Sequence, residues 1–119
     1  VDAPCTGTGT LRRRPDARWR VGPERLASLE CLQREILDGC ADRVAPGGLL
    51  VYATCSLEPE ENEEQVEAFL DRRPDFRRSP PEPGGELPPD VLDDAGDLRV
   101  LPWQRGTDGA YAARLRREP

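Results

Sequence analysis

A run of five apolar residues, Leu49 to Ala53, constrains the fold of this chain more than any other feature of its sequence. Turn-forming residues, Pro46-Gly47-Gly48, precede the run, and no polar residue alternates with the apolar ones. An uninterrupted run of this kind is typical of a strand that is buried on both faces, as in a parallel sheet between helices. The sequence therefore predicts an α/β fold.

The segment before this run predicts a helix over residues 24–45. Pro23 suits a first helical turn, where its missing N–H costs nothing, and the turn residues after Ala45 end the pattern. Apolar residues recur at spacings of three and four and predict one inward-facing stripe: Leu26, Leu29, Leu32, Ile36, Cys40 and Val44. Before the helix, residues 1–3 (VDA) predict the end of another strand.

Two strands joined by a helix form a βαβ unit, in which the strands are parallel and close together. Cys5 follows the first predicted strand and Cys55 follows the second. Open α/β sheets bind ligands beyond the carboxyl ends of their strands. Because adjacent strands lie ~4.8 Å apart, we expect both thiols to face one cleft. Cys31 and Cys40 fall inside the helix, and we expect them to pack in the core.

The remainder of the chain predicts a second helix and a final hairpin. Residues 59–72 form the helix, with an inward face of Val66, Phe69 and Leu70. Residues 74–96 are rich in Pro, Gly and acids and predict a mobile loop without chemistry. Residues 98–101 and 110–115 predict two strands joined through 106–109.

Several classes of site are excluded by the residues the chain lacks. It contains no histidine, so it holds no Ser-His-Asp triad, Cys-His pair or His-ligated metal. None of the four cysteines forms a CxxC pair, so we expect no metal site. No apolar run approaches the ~18 residues of a membrane span, and no secretory leader is visible. We therefore expect free thiols and a cytoplasmic location.

Charge is distributed unevenly along the chain. The net charge of −6 disfavours a general nucleic-acid binder. Residues 1–22 nevertheless hold five arginines against two acids, including the run Arg12 to Arg14. Taken alone, this stretch is either a solvated loop or a contact for phosphates.

Three separated segments resemble the RsmB/Sun-type (Nop2/Sun) RNA cytosine-5 methyltransferases. They are residues 2–9 (DAPCTGTG) followed by 12–16 (RRRPD), residues 50–56 (LVYATCS) followed by 59–62 (PEEN), and residues 106–109 (GTDG). The resemblance covers nearly the whole chain apart from the Pro-rich loop. It implies an α/β fold of class I (Rossmann-like), dependent on S-adenosylmethionine. This chain matches the C-terminal half of that sheet, which ends in an antiparallel hairpin.

The same resemblance implies that residues 1–119 form a partial catalytic domain. The glycine-rich loop and the acidic residue that hold most of the cofactor in the family have no counterpart here, nor does the upstream RNA-binding region. Trp103 and Ala110 stand where relatives often carry His and an aromatic residue. We expect the isolated chain to be inactive, with the missing N-terminal half of the domain or a neighbouring chain as its partner.

The roles of individual residues also come from the resemblance. Cys55 is the nucleophile that adds to carbon 6 of cytosine, and Cys5 assists its release. Asp2 contacts the cytosine edge or the amino-acid end of S-adenosylmethionine, and Pro4 lies beside that cofactor. Cysteine suits the first role because a thiolate is strongly nucleophilic and also leaves well.

The resemblance also gives the basic stretch a function. Arg12 and Arg13 match arginines of the family and are expected to contact RNA phosphates, the alternative being a salt bridge to Asp16 or to Glu residues. Trp19 is expected to pack rather than to stack on a base. Residues 57–62 are expected to fix the loop that holds Cys55 rather than to touch substrate.

The implied function is methylation of RNA, and ribosomal RNA of the small subunit is the expected substrate. The alternative is a truncated, non-catalytic chain that binds RNA or a partner subunit without turnover. A thiol redox protein is disfavoured because no CxxC pair exists.

Overall fold

The computed structural model describes residues 1–82 and 84–119 as three helices and four strands. The helices are α1 (Pro23–Ala41), α2 (Glu63–Arg72) and α3 (Pro102–Arg105). The strands are β1 (Leu49–Thr54), β2 (Phe76–Arg78), β3 (Leu98–Val100) and β4 (Ala110–Arg117). Short 3₁₀ turns lie at Thr8–Thr10, Pro15–Trp19, Pro59–Glu61 and Pro89–Val91. Within this described part, no helix is long and apolar enough to cross a membrane.

Strand β4 lies at the centre of the sheet. It pairs antiparallel with β1 on one side and with β2 and β3 on the other. The antiparallel pairing of β3 with β4 confirms the predicted final hairpin, with α3 between its strands. The resulting mixed sheet agrees with the second half of a Rossmann-like domain.

The beginning of the chain pairs with β1 in parallel. Asp2 forms a parallel bridge with Ala53. The Ala3 N–H donates to the Ala53 carbonyl at 2.9 Å, and the Ala53 N–H donates to the Val1 carbonyl at 2.8 Å. The predicted βαβ arrangement is therefore present, with α1 as the connection between its two parallel segments.

The hydrophobic core lies on one face of the sheet, beneath α1 and α2. The rings of Phe69 and Phe76 meet edge to face with their centroids 5.3 Å apart. Each large side chain buried here contributes about 1.5–3 kcal/mol. The core is formed by Ala3, Leu37, Ala41, Leu50, Tyr52, Val66, Phe69, Phe76, Tyr111, Ala113 and Leu115.

Strand β1 is buried on one face only, so the prediction of burial on both faces is wrong. Leu50 and Tyr52 are buried, whereas Leu49 and Val51 are 40% and 39% exposed. The helices that pack on β1 contribute to a single core on one side. Leu49 and Val51 instead stand beside Arg116 and Arg114 of β4, their partners in the pairing register.

Helix α1 ends at Ala41, four residues earlier than predicted. Pro46 disfavours helical geometry at the residue before it, and the Arg117 guanidinium binds the Val44 carbonyl at 2.7 Å. The inward face also differs from the predicted stripe, since Leu32 is 42% exposed. The residues of α1 that are buried are Gln33, Leu37 and Ala41.

The two cysteines of α1 have different surroundings. Cys31 is exposed, so its predicted place in the core is wrong. Cys40 is partly buried and packs against the core, as expected.

The segment 74–96 is not a loop throughout. It contains β2 and the turn Pro89–Val91, in which Val91 is buried. The sequence did not predict β2 because a strand of three residues is too short to show an alternation of apolar and polar side chains. Pro83 lies outside the described residues, and the mobility of the segment stays a prediction.

Candidate active site

Cys5 and Cys55 meet just beyond the parallel bridge between the chain start and β1. Their Sγ atoms lie 3.3 Å apart. Both thiols line a cleft of about 600 Å³, together with Asp2, Pro4 and Gly7. The prediction that the two thiols face one cleft is confirmed.

The surroundings of the Cys5 thiol raise its pKa. Burial raises the pKa of the Cys5 thiol to about 12, and its hydrogen bond with Cys55 acts in the same direction. Cys5 therefore keeps its proton at neutral pH and can donate it in a hydrogen bond to the Cys55 sulfur. Since the thiolate is the reactive form, Cys5 is a poor nucleophile in this arrangement.

A buried carboxylate connects the Cys5 loop (residues 4–7) to the Cys55 loop (residues 55–58). Glu61 is completely buried. Its carboxylate accepts hydrogen bonds from the Thr6 N–H at 2.8 Å and the Thr6 hydroxyl at 2.7 Å, and also from the Ser56 hydroxyl. Thr6 follows Cys5 and Ser56 follows Cys55, so one side chain holds both loops. Residues 57–62 thus contribute to fixing the Cys55 loop, as predicted, and the absence of a substrate contact stays a prediction.

Asn62 fixes the Cys55 loop independently of Glu61. Its amide donates to the Ser56 carbonyl at 2.9 Å and accepts from the Thr54 hydroxyl at 2.5 Å. The Leu57 N–H donates to the Thr8 hydroxyl at 2.9 Å. The backbone that follows Cys55 is thus hydrogen-bonded to side chains, and the side chain of Thr54 before it is bound by Asn62, which restricts the position of the Cys55 thiol.

Sequence reasoning assigned the fixing of the Cys55 loop to residues 57–62 as a group, without singling out Glu61, and gave no such role to Thr6 or Gln33. Glu61 is one of several acids before α2, and such acids are expected near a helix N-terminus for electrostatic reasons alone. The Gln33 amide also donates to Glu61, at 3.1 Å. The sequence prediction placed only apolar residues on the buried face of the helix, so it did not include Gln33. The available signal was the hydroxyl residue directly after each cysteine, Thr6 and Ser56.

Gly9, in the turn Thr8–Thr10 that follows the Cys5 loop, lies in direct backbone contact with the Cys55 loop and with the turn before β4. Its N–H donates to the Cys55 carbonyl at 2.9 Å, and its carbonyl accepts from the Gly109 N–H at 2.8 Å. A Cβ at position 9 would lie 2.5 Å from the Cys55 carbonyl oxygen and 3.0 Å from the Gly109 Cα. Only glycine fits this approach.

Arg12 and Arg13 bind the turn before β4. Arg13 Nε lies 2.7 Å from the Asp108 carboxylate, and Arg12 donates to the Gly106 carbonyl. The Arg13 guanidinium lowers the pKa of Asp108 below its ordinary value. The salt bridge involves Asp108 rather than Asp16 or a glutamate. The side chain of Arg13 remains 63% exposed, and contact of this pair with RNA stays a prediction.

The cleft presents cationic side chains around a free carboxylate. Arg13, Arg14, Arg20 and Arg25 line it. Asp2 lines the same cleft and makes no ion pair among the described residues. A carboxylate of this kind suits a cationic group of a small ligand.

Trp19 is not packed as predicted. Its side chain is 78% exposed, and the Arg18 guanidinium lies 4.6 Å from the ring centroid.

Among residues 1–82 and 84–119, no three or more His, Cys, Asp or Glu side chains come together as metal ligands.

Mild oxidation is expected to join Cys5 and Cys55 in a disulfide. Diamide would take two protons and two electrons from the pair, and the 3.3 Å separation favours this bond over any other. Trypsin places the four cysteines in separate peptides, so mass spectrometry of the digest reads the pairing directly. Pairing of Cys55 with the exposed Cys31 at equal yield would contradict the arrangement.

The fold and the strand-end cleft define a segment of a Rossmann-like methyltransferase. The described chain superposes on the Methyltransferase Homolog Protein from Pyrococcus horikoshii with a TM-score of 0.76 and 32% identity, covering 98% of this chain and 37% of that one. NSun6 from Pyrococcus horikoshii, solved with SFG, superposes with a TM-score of 0.79 and 27% identity, covering 100% and 29%.

The chain belongs to the RsmB/F family of methyltransferases, since the family model described as 16S rRNA methyltransferase RsmB/F matches residues 1–116. It is 43% identical to Ribosomal RNA small subunit methyltransferase B of Vibrio cholerae over 99% of its length. The chain spans about a quarter of the length of the curated relatives it matches.

Proposed function

We propose that residues 1–119 are the catalytic segment of an S-adenosylmethionine-dependent RNA cytosine-5 methyltransferase that acts on small-subunit ribosomal RNA. One observation carries this proposal: two thiols, 3.3 Å apart, at the ends of two parallel segments in a cleft with arginines. The names of the relatives support RNA as the substrate.

The proposed reaction begins with Cys55. Its thiolate forms a bond to carbon 6 of cytosine, and the electrons of the C5–C6 double bond make carbon 5 nucleophilic. Carbon 5 then takes the methyl group and carries both a methyl and a proton. Transfer of that proton to water restores the C5–C6 double bond as the bond between carbon 6 and the Cys55 sulfur breaks and the sulfur leaves with its electron pair as a thiolate.

Cys5 acts in the release step. While Cys55 is a thiolate, the Cys5 proton stabilises it through the hydrogen bond between the sulfurs. Once Cys55 is bonded to carbon 6 and the methyl group has been transferred, the carbon 5 proton passes to water, and the Cys5 thiol donates its hydrogen bond to the Cys55 sulfur as that sulfur leaves as a thiolate. The chain has no histidine for this purpose.

One feature of the cleft fits S-adenosylmethionine: the carboxylate of Asp2 lines it and makes no ion pair among the described residues. Asp2 would bind the ammonium group of the cofactor's amino-acid end, with Pro4 beside it. When bound, this cofactor supplies an electrophilic methyl group on a positively charged sulfur. The SFG in the NSun6 structure is an analogue of that cofactor and supports the same choice.

The RNA strand would cross the arginine-lined side of the cleft. Arg13 and Arg14 line the cleft, and Arg12 is held beside them by Gly106. Guanidinium groups bind phosphates in a bidentate geometry, which fixes the strand without reading its sequence. The target cytosine would then have to leave any base stack to reach the thiols.

The proposal is tested with the protein expressed with its native flanking sequence. Incubation with 16S ribosomal RNA and methyl-labelled S-adenosylmethionine is expected to place the label in 5-methylcytidine after digestion to nucleosides. The matched Cys55→Ala variant should incorporate none. Label in a different nucleoside would refute the cytosine-5 assignment. RNA binding without any methylation would favour the non-catalytic alternative.

A further inference from the structure

We propose that Glu61 is a positioning residue that sets the separation of the Cys5 and Cys55 sulfurs through Thr6 and Ser56. Its importance for catalysis rests on the proposed function, but its effect on the thiol pair does not.

The hydrogen bonds of Glu61 are divided between the two cysteine loops. One carboxylate oxygen, Oε1, accepts from the Thr6 N–H at 2.8 Å and from Gln33 at 3.1 Å. The other, Oε2, accepts from the Thr6 hydroxyl at 2.7 Å and from the Ser56 hydroxyl. Four donors match the four lone-pair positions of a carboxylate, so the side chain is fully used.

A carboxylate is required at this position because every group that faces it donates. A glutamine would keep one acceptor oxygen and turn an NH₂ group toward the remaining donors. The Ser56 hydroxyl oxygen already accepts from the Glu58 N–H at 2.9 Å, so accepting from that NH₂ group as well would require its own proton to turn to another acceptor. Removing the charge therefore releases one cysteine loop from the other, although the side chain keeps its size.

Gln33 extends the same arrangement to helix α1. Its amide nitrogen donates to the Pro4 carbonyl at 2.9 Å as well as to Glu61. The residue before Cys5 and the residue after it are thus both tied to this network. This places the Cys5 thiol relative to α1 and β1, and not only relative to Cys55.

Asp97 offers a matched control for the loss of a buried carboxylate. It is 2% exposed, and it binds the Tyr111 hydroxyl at 2.7 Å and Arg78 Nε at 3.3 Å. Neither partner belongs to a cysteine loop. Asp97→Asn should destabilise the fold as Glu61→Gln does, without acting on the thiols.

The test measures the rate at which diamide forms the Cys5–Cys55 disulfide in the protein with its native flanking sequence. Glu61→Gln is expected to slow this reaction at least about tenfold, as the loss of hydrogen bonds to a charged group implies. Asp97→Asn should stay within about twofold of the unsubstituted protein at a comparable Tm. An unchanged rate in Glu61→Gln, or an equal slowing in both variants, would overturn the proposal.

Two milder variants keep the proposal testable where Glu61→Gln does not fold. Thr6→Val removes one of the two hydroxyls that donate to Oε2 and Ser56→Ala removes the other, each from a single loop. Each is expected to slow disulfide formation, and the double variant should slow it by less than the product of the two effects, because both act through one carboxylate. Unchanged rates in both single variants would overturn it.

The thiol readout also separates this proposal from the proposed function. Disulfide formation requires no methyl transfer, so a protein that makes no 5-methylcytidine still tests the role of Glu61. In an active enzyme, Glu61→Gln should lower kcat more than it raises KM, since it displaces the reacting thiols rather than the RNA contacts.

Discussion

Replacing Cys5 with alanine is expected to arrest the full-length enzyme as a covalent protein–RNA adduct. Cys55 still adds to carbon 6 and the methyl group is still transferred, but the carbon 5 proton then leaves slowly without Cys5. Cys55→Ala removes the nucleophile and should give neither adduct nor methylated RNA. The contrast is expected to be nearly complete, because the two variants interrupt different bonds of one reaction.

A denaturing gel of both variants with radiolabelled substrate RNA measures this outcome as a shifted band. An adduct that appears with Cys55→Ala and is absent with Cys5→Ala would assign the nucleophile to Cys5 instead. If both thiols only fill space, each variant should keep most activity and lose about 1 kcal/mol of stability. The raised pKa of Cys5 and its hydrogen bond to Cys55 favour the first pattern.

Gly9→Ala is expected to abolish the thiol pair as well as much of the local stability. The added Cβ would lie 2.5 Å from the Cys55 carbonyl oxygen, closer than real Cβ contacts allow. The clash is with backbone on both sides, since Gly109 is 3.0 Å away, so no flexible side chain can yield. Overpacking of this kind costs about 1–3 kcal/mol, and here it displaces the Cys55 loop directly.

The matched control for this substitution is Gly39→Ala in α1. A Cβ at position 39 meets nothing within 4 Å, and alanine favours the helix by about 0.5–1 kcal/mol. Thermal unfolding should therefore show Gly39→Ala at or above the Tm of the unsubstituted protein and Gly9→Ala below it. Normal disulfide formation between Cys5 and Cys55 in Gly9→Ala would disprove the importance of this contact.

The meeting of the two thiols was predictable because it follows from strand order alone. Parallel neighbouring strands end at the same edge of a sheet, so residues just after each strand become neighbours whatever the loops do in detail. The final hairpin was predictable from the alternation of Tyr111, Ala113 and Leu115, which are buried on one face of β4.

The contacts that hold the site were not predictable in the same way. Glu61 and Thr6 are distant in the sequence, and a buried acid looks like a solvated one until its donors are in place. The single-sided burial of β1 was missed for a related reason. The apolar character of Leu49 and Val51 makes their burial favourable, but a side chain is buried only where another part of the protein packs on it.

Because burial alternates along β1, a slip of one residue against β4 would be a folding error with chemical consequences. Tyr52, which stands opposite Ala113, would exchange faces with Val51, and Cys55 would turn away from Cys5. The complete burial of Tyr52 and Ala113 penalises that misalignment. No side chain of strand β4 lines the cleft. The register of β4 against β1 nevertheless determines whether the Cys5 and Cys55 thiols lie together or apart.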